Sequence, residues 1–157
     1  MQRNGKDKIQ FDIEQLWATR PRDFQKAMLD FQADFIHFSG HGYEEGLVFE
    51  DEEGKTKIVS ADWLAALFEL FAGEVECALL NTVHSEIAAE AISKYVDYAI
   101  SMSQAIGDKD CITFSIGFYS AIAAGDSPEK AYKMACDAIQ LSGSPSYTVP
   151  VLKKRIL

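Results

Sequence analysis

Apolar residues first fall on every second position and then shift to a longer period. In KIQFDIEQLWA, Ile9, Phe11 and Ile13 alternate with polar residues up to Gln15, which predicts a half-buried strand. From Pro21 the spacing becomes i, i+3, i+4, i+7 through Phe24, Ala27, Met28 and Phe31, a helix opened by its proline. ADFIHFSGHG is a short apolar run ending in glycines, expected as a strand buried on both faces that opens into a loop. GLVFEDEEGKTKIV predicts a hairpin turned at Gly54. Ser60 can cap the next helix, with Asp62 in its first turn and Leu64, Leu67, Phe68 and Phe71 inward. VECALLNTV is a second buried strand, followed by a helix capped by Ser85 and carrying Ile87, Ala91, Ile92 and Tyr95 inward. VDYAISMSQ is a third. CITFSIGFYSAIAAG is apolar almost all round and is expected as a helix packed deep against the sheet, ended by Gly125. Ser127-Pro128-Glu129 starts another helix, and TVPVLKKRIL predicts a last edge strand that tolerates Pro150.

Strands alternating with helices imply an α/β fold: an open, mostly parallel sheet with helices on both faces, in three layers. No repeat or linker interrupts it, so residues 1–157 read as one domain. Apolar residues make up 48% of the chain, enough to fill a core. A net charge of −9 argues against nucleic-acid or anionic-membrane surfaces, which need clustered cations, and Lys153-Lys154-Arg155 reads as a solvated tail. Cys77, Cys111 and Cys136 contain no CxxC pair, which argues against a disulfide framework or a thiolate zinc site. MQRNGKDKIQF lacks a signal-peptide core, and WLAALFELFAG falls short of the ~20 residues that cross a bilayer. The expectation is a cytoplasmic protein.

In such sheets ligands bind beyond the carboxyl ends of the strands. Two of those ends are polar, HFSGHGYEEG and NTVHSE. Glycines on both sides of His41 let the backbone turn and keep the Gly42 amide open, and an imidazole there suits a general base. His37 lies inside the apolar run and reads as a core histidine. His37, His41 and His84 with Glu44, Glu45 and Glu86 offer metal-ligating atoms, but no HExxH-type helix presents two together, so no metal or other cofactor is expected. The loop lacks the Lys-Ser/Thr of a P-loop, and its glutamates would repel phosphate. Glu44-Glu45 and Asp51-Glu52-Glu53 read as a solvated hairpin face.

FIHFSGHGYEEGLVFEDEEGK and ECALLNTVHSEIAAEAISKYVDYAISM together resemble the CHAT domain, a bacterial branch of the caspase-like peptidases. FSIGFYSAIAAGDSPEKAYKMACDAIQL and VPVLKK extend the resemblance over nearly the whole chain from Phe11 onward. The family implies a Cys–His dyad. Its base maps onto His41, its nucleophile onto the position of Val83, and its oxyanion-binding amides onto Gly42 and Val83. Asn81, Thr82, His84, Ser85, Ser39 and Tyr43 would surround a bound peptide. A thiolate beside a helix start, with two amides facing the carbonyl it attacks, makes physical sense. Val83 breaks the scheme, because valine has no lone pair to attack with and no proton for His41 to take. Cys77 stands six positions back, ~20 Å along an extended strand, and Ser85 is expected to be engaged as a helix cap.

The reading is a peptidase-inactive binding or scaffold module. The alternative is a cysteine endopeptidase whose nucleophile has been changed to valine, natural divergence being the better account because alanine or serine is the usual engineered choice. Metacaspase-like relatives hold a basic side chain with an acid where Asn81 stands, so such selection is weakened here. In the family a strand and helix also precede the segment matching Ile9–Trp17, and that strand lies within the sheet. Only MQRNGKDK precedes Ile9, so strands near Ile9 and Phe35 would lack a neighbour that a partner chain or a second copy could supply.

Overall fold

The computed structural model describes residues 10–17, 19–40, 42–43 and 46–155. These residues gather into two compact units, one from Gln15–Ala105 with the chain end from Val151, the other from the segment up to Glu14 with Ile106–Pro150.

The larger unit begins with α1 (Pro21–Asp30), followed by β1 (Phe35–Ser39), β2 (Gly42–Tyr43), β3 (Gly46–Glu50) and β4 (Thr56–Ser60). Next come α2 (Ala61–Leu70), β5 (Cys77–Asn81), α3 (Glu86–Ile92) and β6 (Tyr98–Met102), and β7 (Pro150–Lys154) closes the chain. One sheet runs β1-β5-β6-β7, with β1 parallel to β5 and β5 parallel to β6. A smaller antiparallel sheet runs β2-β3-β4. The fold is mixed α/β, with a mostly parallel sheet flanked by helices, as the alternation predicted.

Local chemistry sets the element boundaries. The Ser60 hydroxyl accepts from the Trp63 amide at 3.1 Å and starts α2. Asp51 Oδ1 accepts from the amides of Glu53 and Lys55 at 2.8 and 2.9 Å, and Gly54 takes φ 80° to close the hairpin. Arg20, at the N-cap of α1, and Asp23 in its first turn bond reciprocally, so the Arg20 guanidinium holds the Asp23 carboxyl below its usual range.

One core holds this unit together. Phe24 and Met28 of α1, Leu64, Leu67 and Phe68 of α2, and Ala88, Ala89 and Ile92 of α3 meet Ala78, Leu80 and Ala99 on one face of the main sheet. Leu47, Phe49 and Val59 bring the small sheet into the same core. The Phe24 ring lies 5.2 Å from Phe38, 6.1 Å from Phe49 and 6.2 Å from Phe68, each pair adding about 0.5–1.5 kcal/mol beyond area burial.

Several expectations change. Residues 10–17 form no strand, and Ile13 and Trp17 are 69% and 83% exposed; Ile9 lies outside the described residues. Alternation alone does not make a strand. Its amides need a neighbour, and among the described residues none pairs there. β5 is buried throughout, but β1 is only half-buried because it stands at the end of the sheet order. Phe31 falls just past α1 and is exposed. In α3 the inward residues are Ala88, Ala89 and Ile92, whereas Ile87 is exposed. Lys153 and Lys154 belong to β7 rather than to a solvated tail, and Lys153 pairs with Glu90 at 3.7 Å.

The amino ends of β1, β5 and β6 are preceded by Asp34, Glu76 and Asp97. Desolvation, then Asp97 and Asp34, raises the Glu76 carboxyl above its ordinary value of 4.5. A folded-state pKa above the unfolded one adds stability below the unfolded pKa and loses it as pH rises through the folded pKa. Glu76→Gln should therefore modestly raise the melting temperature at pH 7 and change it little near pH 4, as thermal melts at the two pH values will show.

The smaller unit contains α4 (Asp108–Ala123), α5 (Pro128–Leu141) and a 3-10 turn at Pro145–Thr148. Ser127 accepts from the Lys130 amide at 3.2 Å to start α5, with Pro128 in its first turn. A Cβ on Gly117 of α4 would meet the Ala135 Cα of α5 at 3.1 Å, so the glycine permits close helix packing. Phe114, Phe118, Ala135 and Ile139 are fully buried. However, α4 is not buried all round, because Ile112 and Ile116 are 60% and 64% exposed.

Candidate functional site

The parallel register sets Ser39, the last residue of β1, beside Asn81, the last residue of β5. The two polar motifs thus leave the sheet from adjacent carboxyl ends. Gly40 follows Ser39 with φ 152°, a backbone region that favours glycine. The chain then returns as β2, whose Gly42 and Tyr43 pair with Leu47 and Gly46 of β3. Tyr43 is 50% exposed and Ser39 is exposed. The candidate base, His41, lies outside the described residues, as do Glu44 and Glu45.

Beyond Asn81 the chain turns through Thr82, Val83 and His84 into α3. His84 has φ 59°, the one left-handed non-glycine among the described residues. Such a conformation costs about 1–3 kcal/mol and persists where the surroundings impose it, commonly at functional turns. Val83 is half-buried and His84 exposed.

Ser85 stands at the N-cap position of α3, but its side chain makes no capping hydrogen bond. It is fully buried, donates to the Leu80 carbonyl at 3.1 Å and accepts from the Met102 amide at 3.0 Å. The pairing of β5 with β6 runs as far as Leu79↔Ile100, and the Ser85 hydroxyl bridges the two strands just beyond it. It supports the site from behind instead of facing a ligand. Asn81 and Thr82, expected along a peptide groove, are buried at 9% and 5% exposure. Among the described residues Asn81 Oδ1, Thr82 Oγ1 and Ser101 Oγ have no hydrogen-bond partner. Ser101 carried no signal in the sequence, being one small residue inside an apolar strand. Exposed Ile87 follows the turn and was hidden by its place in an apparently inward stripe.

His37 differs from expectation. It shares the face of Leu79, opposite the apolar core, and is exposed as a residue, while partial desolvation still lowers the pKa of its ring. Half the alternating positions of an edge strand stay open even when the run reads as uniformly apolar. Among the described residues, no three His, Cys, Asp or Glu side chains gather closely enough to hold a metal ion.

Cys77, the one cysteine described in the larger unit, does not stand at this turn. Cys77 is fully buried at the opposite end of β5, ~13 Å from Asn81 along the strand, and burial pushes its thiol up to about 12. Burial also raises the Cys136 thiol.

Over 131 residues the chain is 26% identical to a "Roc-COR-CHAT protease" from an unknown prokaryotic organism. The likeness is to a CHAT protease. It takes in 79% of this chain and 12% of that protein, so the chain spans a small part of the curated relative it matches. No protein-family model matches the chain. The CHAT likeness supports a relationship to the caspase-like peptidases, in agreement with the two strand-end motifs. No helix among the described residues is long and apolar enough to cross a membrane.

Proposed function

We propose that this chain is a caspase-like CHAT domain that binds a peptide or protein segment at the carboxyl ends of β1 and β5 without cutting it. The observation that carries the reading is Val83 in the turn after β5, followed by left-handed His84. In this reading Val83 occupies the place of the nucleophile, His41 is a retained base, and the Gly42 and Val83 amides are the remaining oxyanion donors. Tyr43, Ser39 and His84 offer exposed surface to the bound segment. Loss of a nucleophile from such a unit costs many orders of magnitude in rate, while binding and oxyanion contacts survive. The domain then works by holding, as a scaffold within a cytoplasmic, bacterial assembly. The place of β1 at the end of the sheet order supports a second contact, a strand supplied by a partner chain or another copy.

The test is a peptide library presented to the wild-type chain and to Val83→Cys, with products read by mass spectrometry. Wild type should retain peptides without cleaving them, and Val83→Cys should cleave a subset that its His41→Ala derivative leaves intact. Cleavage by wild type that His41→Ala abolishes would overturn the reading in favour of an active hydrolase.

A further inference from the structure

β5 runs out into two consecutive polar residues that the fold leaves unanswered. Asn81 is 9% exposed and Thr82 5%, yet among the described residues Asn81 Oδ1 and Thr82 Oγ1 have no hydrogen-bond partner. Buried polar atoms are ordinarily paired, and one left alone costs its full desolvation. The contrast lies four residues after Asn81, where the fully buried Ser85 hydroxyl both donates and accepts. Ser101 Oγ is also unpartnered, but it lies within β6 with no exposed surface. Asn81 differs because it closes its strand. It stands in register with exposed Ser39, and the chain beyond it turns through left-handed His84.

We infer that Asn81 reads a carboxamide side chain, glutamine or asparagine, in the segment bound at these strand ends. The inference rests on the reading of those ends as a peptide site. Charge and burial choose the group. A lysine or arginine brought to Asn81 would set a cation against a neutral, recessed oxygen that supplies no counter-charge. A glutamate or aspartate would set its own oxygens against Oδ1, acceptor against acceptor. A carboxamide both donates and accepts, as Asn81 itself does, so the two can form paired N–H···O bonds. A half-turn of the Asn81 amide about its last torsion, where the potential is broad, offers either atom to the entering group. Because Asn81 is recessed, a side chain entering from the segment reaches it where the segment's backbone does not. Ser39, exposed alongside, adds a hydroxyl that can donate or accept.

The test is retention of a peptide library by wild type, Asn81→Asp and Asn81→Leu, with retained sequences read by mass spectrometry and melting temperatures taken without peptide. Wild type should enrich glutamine and asparagine at one peptide position at least ~10-fold over glutamate and lysine. Asn81→Asp should move the preference at that position to lysine and arginine. Asn81→Leu should lose the preference while its own melting temperature holds or rises, because leucine has a similar shape and removes an unpartnered polar group. If Asn81→Asp does not fold, the leucine variant decides alone. A melting temperature lowered by more than about 5 °C in Asn81→Leu means that Asn81 is bonded within the protein, and overturns the inference. Retained peptides without the carboxamide preference, or with one unchanged in either folded variant, overturn it too while peptide binding at the strand ends stands. Retention of no peptide by wild type overturns both.

Discussion

Gly46→Ala should destabilise the domain by about 3 kcal/mol, a large part of the ~5–15 kcal/mol that holds an ordinary domain folded. A Cβ at Gly46 would lie 1.8 Å from the Val59 carbonyl oxygen and 2.6 Å from its carbon. Both obstacles are backbone, so no side-chain rotation relieves them. Gly46 pairs with Ser60 across the β3–β4 ladder and with Tyr43 across β2–β3, so the methyl group forces the small sheet apart. Leu47 and Val59, both buried beside it, must then move out of register with Phe49 and Phe24. Urea denaturation measures the loss. A change under ~1 kcal/mol would mean that the two strands are not packed this closely. Because β2 is the return path from the HFSGHG loop, the variant should also weaken peptide binding even at temperatures where it stays folded.

Ser85→Ala should cost about 2–3 kcal/mol, far more than removal of a helix cap without other consequences. The Ser85 hydroxyl joins the Leu80 carbonyl to the Met102 amide inside the protein. Alanine leaves that amide buried with nothing to donate to, and an unmade buried hydrogen bond costs about 1–3 kcal/mol for each stranded group. Native-state hydrogen exchange separates this account from simple capping. The Met102 amide should lose protection selectively, while the first-turn amides of α3 change little. Equal loss along α3 would contradict the bridging role. The consequence for function is direct, since Ser85 sits two residues from Val83 and anchors the turn that presents it.

Features governed by neighbouring residues were legible in the sequence. Ser60 and Ser127 cap helices because each needs only its own next turn, and Gly54 closes a hairpin by its own backbone freedom. β5 was recognisable because a central strand is apolar at every position. The misses share one cause, dependence on what lies beside an element. Phe11 and Ile13 alternate like strand residues but have no strand to pair with among the described residues. His37 sits in an apolar run on an edge strand, so one side of that run stays open. Ile112 and Ile116 belong to the uncharged stretch Cys111–Gly125, which sequence reasoning buries completely. Ser85 had the right residue type for a cap, but the two strands on either side of it offer stronger partners than the first turn of a seven-residue helix. At the site, the motifs and the valine at position 83 were visible, and the register that sets Ser39 beside Asn81 came only from the fold.

The most direct test of the proposal that this strand end is unarmed is intact mass after exposure to an irreversible, thiol-reactive peptidyl probe at pH 7. Wild type should gain no mass within hours, because its turn carries valine and the Cys77 thiol is buried with its pKa pushed up to about 12. Val83→Cys should gain one probe, mapped to position 83, at a rate that drops at least tenfold when His41 is also changed to alanine. Rapid single labelling of wild type that depends on His41 would reveal a working nucleophile elsewhere and contradict the account.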